Sequence, residues 1–125
     1  MQIDLKSKNW QEAIDITEEV ADIIKGQEGK AVLIFCPHTT AGITINEGYD
    51  ETVMKDVLDI IDELTPRLDF LHKEGNSPAH AKSSIVGSSL LLPIQEGKLL
   101  LGQWQKIFFL EFDGPKERKV QVSIL

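Results

Sequence analysis

The sequence predicts one α+β domain over residues 1–125, with about seven strands and two or three helices. Three observations carry this reading. Polar and apolar residues alternate with period two in several segments. Apolar residues recur at spacings of three and four between Asp50 and Leu64. A Glu96-Gly97 turn joins two apolar runs in the last third. The strands are not evenly interleaved with helices, which argues against a parallel doubly wound sheet.

Gln2 to Ser7 alternates and reads as a half-buried strand, and Trp10 to Ile16 reads as a second. Thr17 offers an N-cap, with Glu18 and Glu19 in the first turn, where carboxylates suit the helix dipole. Val20, Ala21, Ile23 and Ile24 form the apolar stripe of that helix, and Gly26 ends it. Lys30 to Cys36 is a continuous apolar run and predicts a strand buried on both faces. Ile43 to Ile45 is a short strand. Asp50 opens the clearest helix, with Val53, Val57, Ile60 or Ile61, and Leu64 on one side, and Pro66 stops it. Pro78 starts a brief helix that ends at Gly87. The last third reads as a β-meander: Ser88–Ile94, Lys98–Gly102, Trp104–Asp113 and Lys119–Leu125.

The composition is that of a folded protein, 42% hydrophobic and 26% charged. A chain this short buries about two-thirds of its unfolded surface, enough for one core. Thirteen Lys+Arg stand against 20 Asp+Glu, a formal net charge of -7. A general nucleic-acid binder needs a basic stripe, and the only basic cluster, Lys116, Arg118 and Lys119, is interrupted by Glu117. The single cysteine, Cys36, sits in an apolar run and reads as a small buried hydrophobe, which fits a reducing compartment. No apolar run approaches a membrane span and the first residues lack a signal-peptide pattern, so the expectation is a soluble, cytoplasmic protein with no membrane partner.

No dinucleotide, phosphate-loop, zinc-protease or serine-hydrolase motif occurs. Four polar clusters remain where a core-building sequence would not place them. His38-Thr39-Thr40 follows the buried strand. Asn46-Glu47-Gly48 leads into Asp50, which as plain structure caps a helix. His72 to Ser84 holds two His, a Glu, Lys82, Ser83 and Ser84. Three His suffice for an open zinc site, although the spacing of His38, His72 and His80 matches no standard signature. The helix start at Pro78, with Lys82, Ser83 and Ser84, suggests donors for an anion. Last, Trp104-Gln105 precedes the strand that ends Glu111-Phe112-Asp113. Glu111 and Asp113 fall on one face, which as plain structure is an edge in water.

Together these segments resemble the YjbQ family (UPF0047). The likeness rests on His38-Thr39-Thr40-Ala41, Ile45-Asn46-Glu47 with Asp50, Glu74-Gly75-Asn76-Ser77 with His80, Lys82-Ser83-Ser84 with Gly87, Leu101-Gly102-Gln103-Trp104-Gln105 and Glu111-Phe112-Asp113-Gly114-Pro115, in order from about Ile3 to Ile124. It implies two packed, mostly antiparallel β-sheets with helices alongside. It also implies a homotrimer built through those sheets around a threefold axis. The implied activity is thiamine-phosphate synthesis, which joins hydroxymethylpyrimidine diphosphate to thiazole phosphate and releases pyrophosphate.

For that reaction the expected catalytic residues are His38, His80, Glu47 and Asp50. Asn46, Asn76, Lys82, Ser83, Ser84, Trp104 and Gln105 are the expected ligand contacts. Lys82, Ser83 and Ser84 would cradle phosphate, and Trp104 would stack on a heterocycle. Magnesium would bind diphosphate through Glu47, Asp50 or Glu111. Zinc would bind His38, His72 and His80. The alternative is a metal- or phosphate-binding module without turnover.

Overall fold

A computed structural model describes residues 1–125. Its elements in chain order are β1 (Gln2–Lys6), β2 (Glu12–Asp15), α1 (Thr17–Ile24), β3 (Ala31–Phe35), β4 (Ala41–Glu47), α2 (Glu51–Glu63), α3 (Ser77–Val86), β5 (Ser89–Gln95), β6 (Lys98–Leu99), β7 (Gln105–Glu111) and β8 (Glu117–Ile124). Five strands form one sheet in the order β1-β8-β3-β5-β6, and three form a second in the order β2-β7-β4. Every pairing is antiparallel. No helix is long and apolar enough to cross a membrane.

The two sheets meet across a core that includes Val32, Ile34, Ile43, Phe109, Val120 and Val122, with Val20 and Ile24 of α1 closing one side. A second core lies between the three-stranded sheet and helices α2 and α3, built from Met54, Leu58, Ala79, Phe108, Leu110 and Phe112. Strand parity explains the layering. Ile107 and Phe109 point towards the five-stranded sheet, while Phe108 and Leu110 point towards the helices.

The structure corrects several expectations. The last third is not a meander, because β7 leaves β5 and β6 to become the central strand of the other sheet, between β2 and β4. Its Ile107–Leu110 run is apolar on both faces, so both faces need cover and both edges need a partner. Conversely, β3 is not buried on both faces. Val32 and Ile34 are inside, but Phe35 is 42% exposed. The outer face of this sheet also bears Leu33 and, on β5, Leu91, which is 63% exposed.

Local signals shift by a residue or two. Ile16, not Thr17, is the N-cap of α1, and it has no capping side chain. Thr17 is the first helical residue, and its N–H and hydroxyl both donate to the Asp15 carboxylate (2.9 and 2.6 Å). Strand β2 starts at Glu12, so Trp10 lies outside it, half-exposed. Asp50 caps α2 as expected, with its carboxylate accepting from Thr52 N–H at 2.9 Å.

Candidate functional site

His38 sits in the segment between β3 and β4, and a ladder interruption explains its position. Phe35 of β3 pairs with Gln121 of β8. Two residues further, the same register sets Pro37 opposite Lys119, and proline has no N–H to give. The His38 ring takes its place. Its Nε2 lies 2.9 Å from the Lys119 N and 3.1 Å from the Lys119 carbonyl, so the ring meets the Lys119 backbone in either tautomer.

A buried ion pair fixes the same segment. By parity Glu111 of β7 shares the inward face of Ile107 and Phe109, and Arg118 of β8 shares that of Val120 and Val122. They therefore meet between the sheets. Arg118 Nε donates to Glu111 at 2.9 Å, and its Nη2 donates to the Thr40 hydroxyl at 2.8 Å. The Ser7 hydroxyl donates to Glu111 at 2.6 Å. Glu111 is wholly buried, so its expected place on a watery edge is corrected, as is its expected availability to magnesium. Burial alone would raise its pKa. The hydrogen bonds from Arg118, Ser7 and the Asp113 N–H outweigh burial and hold the carboxyl below its usual range.

Across from His38 stands α3, pinned at its C-terminal end. The Ser88 carbonyl accepts from Cys36 N–H at 2.7 Å, and the Gly87 carbonyl accepts from Ile43 N–H at 3.2 Å. Gly42 permits this approach, since a Cβ there would stand 2.9 Å from a Val86 methyl and 3.1 Å from the Gly87 oxygen. The result is an open cleft of about 400 Å³ lined by His38, Thr39, His80, Ser83, Ser84, Gly87 and Ser88. No hydrophobic residue and no carboxylate lines it. The Ser83 hydroxyl donates to the Ala41 carbonyl (2.6 Å) and that of Ser84 to the His80 carbonyl (3.1 Å). The hydroxyls and backbone N–H groups of Thr39 and Ser88 have no partner in the chain, so donors are free there. His72 lies just behind, its ring edge-on to that of His80 at 5.3 Å between centroids.

A family model described as "UPF0047 protein YjbQ-like" matches residues 1–125. The chain belongs to the YjbQ family. A UPF0047 protein of Methanocaldococcus jannaschii is 48% identical over 125 residues, spanning 97% of this chain and 90% of the relative. Bacillus subtilis YugU is 47% identical over 128 residues, spanning 98% and 96%. Among solved structures, a YjbQ/UPF0047 family protein of Clostridium acetobutylicum superposes with a TM-score of 0.95 at 48% identity, covering 100% of this chain and 99% of that one. A YbjQ-like protein of unknown function from Sulfolobus solfataricus gives 0.94 at 35% identity, covering 99% and 94%.

Within this YjbQ-family fold the expected site residues do not all converge. Glu47 ends β4, six residues from Ala41 beside the cleft, so about 20 Å of strand separates the two clusters. At that far end the Asn46 side chain accepts from Glu47 N–H (2.7 Å), and Trp104 lies edge-on to Tyr49 with centroids 5.1 Å apart. The Gln105 side chain accepts from Gly102 N–H (2.7 Å). Glu47 lines a different groove, with Glu12, Asp15 and Glu51. Asp50 is spent on the helix cap, and two hydrogen bonds from Thr52 hold its carboxyl below the usual range.

Lys82 is corrected outright. Its side chain is fully buried, its ammonium donates to Asp62 (2.7 Å) and Gln11 (2.8 Å), and it lies 4.7 Å from the Trp10 ring centroid. It ties α3 to α2 and cannot meet phosphate in the cleft. The N-terminus of α3 is no open cradle either. Pro78 has no N–H, and the Ala79 and His80 N–H groups return to the Asn76 carbonyl. The Asn76 amide donates to Asp113 at 2.9 Å and does not line the cleft.

The metal expectations find no matching ligands. No three of His, Cys, Asp and Glu gather in metal-binding geometry. His38 Nε2 is already engaged by the Lys119 backbone. Glu47, Asp50 and Glu111 are dispersed, and the last two are already satisfied.

His38 is held neutral by burial first, with the Arg118 guanidinium adding to it, so its pKa falls below 6.5. The unfolded chain then binds more protons below that value. Stability is expected to be full above pH 6.5 and to decline as the pH falls through the folded-state pKa. Urea unfolding from pH 8 to 5 checks this, and in His38→Gln the decline over that interval shrinks.

Proposed function

We propose that this chain binds a small phosphorylated molecule in the His38–His80 cleft, as one subunit of a homotrimer. The observation that carries the reading is the cleft itself: lined by no hydrophobic residue, free of carboxylates and supplied with unpartnered donors at Thr39 and Ser88, in a chain of net charge -7. An anion approaching such a protein is repelled everywhere except where local donors outweigh the field. The catalytic form of this reading is the transfer that the family resemblance implies, with pyrophosphate as leaving group. Hydrogen-bond donors at the cleft would stabilise the charge that develops on it, and the His80 imidazole would handle the proton.

The trimer supplies cover for an uncovered surface. Leu33, Phe35 and Leu91 form an apolar patch on the outer face of the five-stranded sheet, which nothing in one chain covers. Leu91→Lys is expected to lower the sedimenting mass from three subunits to one.

Turnover is tested by incubating the protein with hydroxymethylpyrimidine diphosphate and thiazole phosphate and measuring thiamine phosphate. Product that disappears in His80→Asn supports the synthase. Phosphate binding without product leaves the binding module, which the lack of any carboxylate in the cleft favours. No phosphate binding at all overturns the proposal.

A further inference from the structure

His38 lines two cavities. One is the cleft, and the other is a groove of about 640 Å³ along β1 and β8. Strand parity sets the character of the groove. Ile3 of β1 and Val120 and Val122 of β8 are buried between the sheets, so Asp4, Lys6, Glu117 and Lys119 point outward. The outer face of the five-stranded sheet therefore divides by strand. It is apolar on β3 and β5, where the proposed subunit contact lies, and polar on β1 and β8.

The ladder sets Asp4 opposite Lys119 and Lys6 opposite Glu117. None of these four side chains joins an ion pair. Asp4 alone has a hydrogen bond, accepting from the Gln2 side chain at 2.8 Å. Two cations thus stand beside two anions with most of their hydrogen-bonding capacity unused. A second phosphate in the groove would meet both carboxylates, and an amine would meet both ammonium groups. An aromatic body would find only Leu5 and the His38 imidazole to lie against. Hydroxyl groups suit the groove, because each one donates and accepts and carries no charge.

We infer that the ligand of the cleft is a phosphorylated sugar or polyol, with its phosphate at Thr39 and Ser88 and its hydroxylated body running past the His38 ring to Asp4, Lys6, Glu117 and Lys119. The inference rests on the phosphate reading of the cleft and narrows it. Within the cleft the Ser83 and Ser84 hydroxyls already donate to the Ala41 and His80 carbonyls. Recognition of the body therefore falls to the groove, and Asp4 and Lys6 become residues that set specificity. A heterocyclic phosphate is the poorer occupant, since neither cavity offers a flat apolar face for stacking.

The test follows amide shifts of the full ¹⁵N-labelled chain. Inorganic phosphate, ribose 5-phosphate, glucose 6-phosphate and phenyl phosphate are titrated in separately. All four are expected to shift Thr39 and Ser88. At least one sugar phosphate is expected also to shift Lys6, Glu117 and Lys119, and to bind about tenfold tighter than inorganic phosphate, the gain from one or two added hydrogen bonds. Phenyl phosphate gains nothing, and its shifts stay in the cleft. In the double variant Asp4→Ala with Lys6→Ala the gain for the sugar phosphate is lost. Its affinity for inorganic phosphate is unchanged, which shows that the variant folds. The comparison in the native chain stands without the variant. Sugar phosphates that bind no tighter than inorganic phosphate, or phenyl phosphate that binds tighter than either sugar phosphate, overturn the inference while the cleft keeps its phosphate. No saturable binding by any of the four removes the phosphate reading and the inference with it.

Discussion

Replacing Arg118 with leucine is expected to destabilise the fold by roughly 3–5 kcal/mol, the loss that follows when one partner of a buried ion pair is removed. The Glu111 carboxylate would stay inside the inter-sheet core without its guanidinium, and Thr40 would lose the donor that seats the segment carrying His38. Urea unfolding at one fixed protein concentration measures the loss, since assembly couples stability to concentration. The double variant Arg118→Leu with Glu111→Leu is expected to regain more than half of it, because the unpaired charge has gone. It stays about 1–3 kcal/mol short, because the Ser7 hydroxyl and the Asp113 N–H lose their acceptor. If the single and double variants are equally unstable, the ion pair is not what holds the sheets in register here. The pH sign follows from the same pair. Glu111 has a lowered pKa in the fold, so its contribution is present above about pH 4.5 and is lost as the pH falls below that.

The second large effect concerns chemistry. His80→Asn is expected to lower turnover by about 10²- to 10⁴-fold, the usual range for removing a positioned general acid or base. The fold should survive, since the ring is only partly buried and has no hydrogen bond in the chain. His72→Asn is expected to change turnover much less, because His72 touches the His80 ring edge but does not line the cleft. Unfolding curves of both variants, measured beside the product assay, separate lost chemistry from lost structure. A His80→Asn protein with native rates removes His80 from the mechanism.

Legibility from sequence followed the physics of each signal. The Asp50 cap of α2 and the Glu96-Gly97 hairpin are local features, and both stand in the structure. The apolar stripe of α2 is shifted: Met54 and Leu58 are buried, whereas Ile60 and Leu64 of the expected stripe are exposed. Strand β7 was visible as a strand, but nothing in its period says which sheet it joins. That depends on partners β2 and β4, whose paired residues lie 58 or more positions away in sequence. Lys82 read as a donor to phosphate because its environment comes from Trp10, Gln11, Asp62 and Phe112, three of them remote in sequence. Glu111 and Arg118 carried a usable signal. Each shares strand parity with apolar neighbours, which places a charge of each sign on an inward face. The cleft was half legible: His38, His80, Ser83 and Ser84 were named and do come together, whereas Thr39 and Ser88 as free donors depend on backbone geometry that periodicity does not encode.

The central claim is that the His38–His80 cleft is where the chain holds an anion. Titrating inorganic phosphate into ¹⁵N-labelled protein, and mapping which backbone amides shift, tests it most directly. Saturable shifts are expected to concentrate at Thr39, Thr40, Gly87 and Ser88, weakened at least tenfold in affinity by Thr39→Ala with Ser88→Ala. Shifts that fall instead around Glu47 and Trp104, or no saturable shift anywhere, would contradict it.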